Sequence, residues 1–116
     1  MKKLFVMMSK GHSSFPINLL SILFIQSNGN YLLIYLEDGR KFEPNCTLQQ
    51  FIAFANTHGL CFVQIHRSYA VNFEKVVEFN FSDSSVKVMD YDVLLTMSDT
   101  GKKLVKALPQ LDFNEG

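Results

Sequence analysis

The chain has no tryptophan, only three prolines and two cysteines, and no surplus charge, because its eleven basic and eleven acidic side chains cancel. Each shortage removes a class of reading. Zero net charge gives no long-range field to attract an anionic partner, so any contact with nucleic acid must come from a local patch. Cys46 and Cys61 have neither CxxC spacing nor a secreted disulfide framework, and both read as small apolar residues of a cytoplasmic protein. No run of 18 apolar residues offers a membrane span. The opening Met1-Lys2-Lys3-Leu4-Phe5-Val6-Met7-Met8 imitates a signal peptide, but Ser9 and Lys10 break it after five apolar residues, short of the roughly 7–15 that an apolar signal core needs.

Reactive constellations are equally scarce. His12, His58 and His66 lie far apart and fit no HExxH or Cys-His spacing, so no metal site is expected. No GxSxG nucleophile turn, P-loop or GxGxxG fingerprint occurs, which leaves an enzyme, a nucleotide or any other cofactor without an anchor. Repeats, low-complexity tracts and linkers are also missing. The 116 residues therefore read as a single domain over 1–116, long enough to bury roughly two-thirds of its unfolded surface.

What is present is β-rich. Apolar residues 22–27 and 31–36 flank Asn28-Gly29-Asn30, where Asn-Gly supplies the positive φ of a tight hairpin, and a turn at Asp38-Gly39 with a short strand at 41–43 completes a three-stranded meander. Short strands are also expected at 3–8 and 17–19. Leu48, Phe51, Ile52, Phe54 and Ala55 recur at helical spacing behind Thr47, with Gln50 placed to complete a capping box and Gly59 to end the helix. Strands at 60–65, 75–81, 86–89 and 93–97 suggest a second meander; Val77, Phe79 and Phe81 alternate with polar neighbours. Ser98 reads as the N-cap of a closing helix with an apolar stripe of Leu104, Ala107, Leu108 and Leu111 opposite Asp99, Lys102, Lys103 and Lys106, which Pro109 ends or distorts.

The most informative tract is Phe62-Val63-Gln64-Ile65-His66-Arg67-Ser68-Tyr69-Ala70-Val71-Asn72, where imidazole, guanidinium, hydroxyl and amide groups appear as an apolar strand ends. A strand built only for a core does not carry that set. Arg67 offers a planar fork of donors that matches phosphate or a guanine edge; alternatively it pairs with Glu74 or Asp38. Asn72 offers its amide to a base or, as a turn residue, to the local backbone. Tyr69 and Val71 read as core, and the lysines at 102, 103 and 106 read either as a solvated face or as a basic patch.

This tract, followed by an aliphatic Val76, resembles the hallmark segment of the LytTR family of bacterial DNA-binding domains, F-x-R-x-H-R-S-Y-x-V-N, departing from it only at Gln64. Ile22-Leu23-Phe24-Ile25, Gly29-Asn30-Tyr31, Thr47-Leu48 and Ser98 stand in the family's order, so the likeness covers about residues 14–108. It implies a mainly β fold, an elongated stack of short antiparallel sheets with one or two small helices. It further implies sequence-specific recognition of double-stranded promoter DNA, often by two copies or a homodimer, usually as the output half of a two-component response regulator. Carried over by motif position, Arg67 and Asn30 are candidate DNA contacts and His66 a residue that orients the loop; outside the motif, Lys102, Lys103 and Lys106 on the last helix are candidates for further charge toward DNA. No receiver domain is expected before residue 14, which makes the chain a stand-alone regulator or an output domain.

Two departures matter. Gln64 replaces a common Arg, and Asp99 follows Ser98 where Arg or Lys is frequent. A carboxylate there stabilises the helix but repels phosphate. Fewer neutralised phosphates mean less counterion release, so the expectation is a DNA binder of modest affinity. The rival is a non-catalytic protein-interaction module on the same scaffold, with DNA contact reduced or lost. A small-molecule sensor is a distant third, without legible pocket chemistry.

Overall fold

The computed structural model describes residues 4–109. Among the described residues, ten strands form three antiparallel sheets: β1 (Phe5–Lys10) with β2 (Ser13–Asn18); a central sheet ordered β5-β4-β3-β7-β6, built from β3 (Ile22–Asn28), β4 (Tyr31–Leu36), β5 (Lys41–Phe42), β6 (Phe62–His66) and β7 (Tyr69–Asn72); and β8 (Val76–Asn80), β9 (Ser85–Val88) and β10 (Leu95–Thr96). Helix α1 (Leu48–Thr57) precedes β6 and α2 (Asp99–Lys106) follows β10. The fold is thus mainly β and elongated, with two short α-helices. Among the described residues no helix is long and apolar enough to cross a membrane.

The central sheet is buried on both faces. One face carries Ile25, Ile34 and Ala70 against the β1–β2 hairpin and α1, through Met8, Ile17, Leu48, Phe51 and Ala55. The other carries Phe24 and Val71 against the β8–β10 sheet and α2, through Val86, Val88, Leu95 and Val105. Four consecutive buried residues, Ile22 to Ile25, occupy β3, and a register shift between Ile22 and Phe24 sends both Leu23 and Phe24 to the second face. A strict two-residue alternation would have divided them evenly.

The β3–β4 hairpin closes through Gly29 and Asn30, with Asn28 paired to Tyr31 and only Gly29 at positive φ, the pattern of a II′ turn. The capping box at α1 is complete: Thr47 Oγ1 accepts from Gln50 N at 3.1 Å and Gln50 Oε1 accepts from Thr47 N at 2.9 Å. Asn72 is fully buried, donating to the Ile22 carbonyl at 2.9 Å and accepting from Glu74 N at 3.2 Å, so it serves the backbone.

Several expected elements differ. In place of a strand at 17–19, β2 runs from Ser13 to Asn18 and Leu19–Ser21 forms a 3₁₀ turn capped by Asn18. Pro16 fits because β2 is paired on one side only. A register shift between Val76 and Glu78 exposes Val77, breaking the expected alternation. Residues 93–97 yield only Leu95–Thr96, and Val93 and Leu94 lie exposed. In α2 the buried residues are Gly101 and Val105, while Leu104 is 49% exposed; Leu111 lies outside the described residues.

Candidate nucleic-acid interface

Two tight turns stand side by side at one end of the central sheet. Because β3 and β7 are antiparallel neighbours, the end of β3, with Gly29 and Asn30, adjoins the start of β7, preceded by Arg67 and Ser68. A backbone bond from Ser27 N to Ser68 O, 2.8 Å, fixes one turn against the other. Behind them Tyr35 Oη donates to Gln26 Oε1 at 3.1 Å and Gln26 Nε2 donates to Tyr69 Oη at 3.4 Å. Burial, and then the neighbouring Tyr69, push the Tyr35 phenol up from its ordinary range, so it stays a protonated donor.

The β6–β7 turn carries the hallmark residues. His66 pairs with Tyr69, leaving Arg67 and Ser68 as a two-residue loop in which neither residue takes a positive φ. Three features hold this turn. His66 Nδ1 accepts the Ser68 amide at 3.1 Å, which places the ring proton of the neutral imidazole on Nε2. Gln64 Nε2 donates to the Arg67 carbonyl at 3.5 Å. A register shift between Gln64 and His66 frees the Ile65 carbonyl, which accepts Ser98 N at 2.8 Å.

That last bond docks α2. Ser98 caps the helix by accepting from Gly101 N at 3.0 Å, and Gly101 lies so close to Ile65 that a Cβ there would collide with the Ile65 carbonyl. The start of α2 is thereby pinned beside Arg67.

Arg67 is exposed and forms a ridge between two depressions. One is lined by Gln64, His66, Arg67, Ser98, Thr100, Gly101 and Leu104; the other by Ser27, Gly29, Asn30, Tyr31, Asn45, Cys46, Thr47, Leu48, Gln49 and Arg67. Neither lining includes a carboxylate. Among the described residues no carboxylate lies within ion-pair distance of Arg67: Asp38 is taken by Arg40 at 2.8 Å, and the Arg40 backbone amide, then its guanidinium, hold the Asp38 carboxyl below its usual range. Glu74 makes no ion pair with Arg67 either. The arginine is thus left facing solvent.

The structure therefore brings Asn30, His66 and Arg67 to one end of the molecule. It does not bring the lysines into either depression: Lys102 Nζ lies 3.9 Å from Asp99 Oδ1, Lys106 Nζ sits 5.0 Å from the Phe81 ring centroid, and Lys103 is exposed along α2. Sequence reasoning missed Asn45, Gln49, Thr100 and Gly101 as lining residues. Only Gly101 left a signal, since glycine in a helix interior is costly and marks a close approach. Among the described residues no cluster of His, Cys, Asp and Glu could hold a metal ion.

No curated protein matches the chain closely enough to count as a relative. Among solved structures, a LytTr DNA-binding domain from Bacillus cereus is similar, with a TM-score of 0.73 at 14% identity, covering 91% of this chain and 95% of that one. At that identity the likeness is one of fold. The family model for the LytTr DNA-binding domain matches residues 12–109, so the hallmark turn, both helices and the central sheet all fall within it. On that match the chain belongs to the LytTr DNA-binding domain family, a non-catalytic family.

Proposed function

We propose that the chain is a sequence-specific transcriptional regulator that grips double-stranded promoter DNA with the end of the central sheet bearing Asn30 and Arg67. The observation that carries the reading is the convergence of these residues, distant in sequence, on one depression whose lining holds a guanidinium and no carboxylate. Arg67 reads a base edge or binds a phosphate, His66 orients its turn, and Asn30 meets the duplex from the neighbouring hairpin. Lys102, Lys103 and Lys106 supply flanking charge. With a neutral chain and Asp99 exposed at the start of α2, affinity is modest, and two copies, as a homodimer or on tandem sites, raise it. The site of action is the cytoplasm, as part of a two-component pathway.

Fluorescence anisotropy of the full chain with labelled duplexes tests this. Binding to random-sequence DNA near 50 mM salt, weakening as salt rises, is expected, together with tighter binding to duplexes selected from a random pool. Absence of salt-dependent binding overturns the reading and leaves the interaction module.

A further inference from the structure

We propose that the depression between the 28–31 turn and the start of α1 is a seat for one backbone phosphate of DNA, with Arg67 as its cation and Asn30, Tyr31, Asn45 and Gln49 as its neutral hydrogen-bonding wall. This rests on the DNA-binding reading above. Lining chemistry is the first argument: the seat combines a guanidinium that has no ion-pair partner among the described residues with amide and phenol donors. Such a set suits a phosphate, because a planar fork of N–H groups spans two of its oxygens while neutral donors reach the others.

Rigidity is the second. Leu32 N donates to the Pro44 carbonyl at 3.1 Å and Cys46 N to the same carbonyl at 3.0 Å, which ties the segment before α1 to β4. The reciprocal Thr47–Gln50 bonds then fix the first turn of α1. Gln50 is occupied in that box, whereas its exposed neighbour Gln49 lines the seat. Being preformed, the seat loses little entropy when it binds. The positive end of the α1 backbone dipole lies at the same place and adds to the attraction.

The contrast across Arg67 selects this side. The other depression is floored by Leu104 and Gly101 and stands beside Asp99, whose carboxylate is almost fully exposed and repels an anion. A phosphate is therefore accepted on the α1 side, which fixes the register of the protein on the duplex without reading sequence.

Salt titration of the full chain against a labelled random-sequence duplex tests the seat. Gln49→Lys should steepen the slope of log K against log salt by about one and tighten binding, and Gln49→Glu should weaken it several-fold. The same exchanges at Thr57, eight residues along α1 and so about 12 Å farther along its axis, lie beyond the roughly 8–10 Å Debye length of 0.1–0.15 M salt and, titrated from there upward, should leave the slope unchanged. A second readout does not depend on substitution. Cys46 lines the seat and Cys61 is exposed at the opposite end of β6, so duplex should slow N-ethylmaleimide alkylation of Cys46 several-fold and leave Cys61 unaffected. Burial pushes the Cys46 thiol up, which slows its reaction but leaves the ratio with and without DNA readable. If wild type binds duplex yet Gln49 and Thr57 variants behave alike and Cys46 is unprotected, the seat is wrong while the DNA reading stands. If wild type binds no duplex, both fail.

Discussion

The two helices both begin beside Arg67, and they reach it by opposite means. The start of helix α1 is set by nearby bonds, the Thr47–Gln50 box and the tie of Pro44 to β4, while Leu48, Phe51 and Ala55 pack on the sheet and Gln49 and the preceding Asn45 stay open to solvent. Helix α2 is held by a long-range contact, with Ser98 N and Gly101 pressed against the Ile65 carbonyl that the β6 bulge releases. One helix start is therefore available to an anion, while the other is committed to the sheet and carries Asp99. Proximity to a cation does not make two helix N-termini equivalent. What each has already bonded, and the sign of its first residues, decide what it can still receive.

The contrast can be broken most severely at Gly101. Gly101→Ala drives a methyl group into the Ile65 backbone, and overpacking of that kind costs about 1–3 kcal/mol or more; a fall in the urea midpoint with loss of DNA binding is the expected result. Unchanged stability would show that α2 is not fixed there. At α1, Thr47→Ala removes the cap, and a loss of about 1 kcal/mol in urea unfolding is expected, with DNA binding weakened through the seat it shapes. Asp99→Asn is the mildest change. It gives up about 0.3–1 kcal/mol of helix stabilisation at most, less at so exposed a position, yet it should tighten duplex binding and make it more salt-sensitive. If affinity falls instead, Asp99 is a contact and not a repulsive neighbour.

The same contrast explains what the sequence disclosed. Helix α1, the 22–36 hairpin and the cap that Asn72 places on Glu74 N are legible because each is written in adjacent residues: a cap and its partner three positions on, a Gly in a two-residue turn, an amide before a 3₁₀ turn; the bond from Asn72 to the Ile22 carbonyl, 50 residues away, is not. The apolar stripe of α2 was misjudged because its orientation is set by a carbonyl 33 residues earlier in the chain, freed by a bulge that leaves no mark on residue type. Docking by Gly101 turns Val105 inward and leaves Leu104 out. The burial of β3 on both faces was concealed for a similar reason, since a register shift replaces simple alternation. Of the interface, Asn30, His66 and Arg67 were named from the resemblance, whereas Asn45 and Gln49 are unremarkable polar residues until the fold sets them beside Arg67.

Whether the exposed Arg67 meets DNA is decided by one substitution. Arg67→Ala, titrated against a duplex selected by the wild-type protein, should lose about 1–3 kcal/mol of binding free energy while the unfolding midpoint stays at the wild-type value, because the side chain is exposed and has no ion-pair partner among the described residues. Wild-type affinity in that variant would contradict the account.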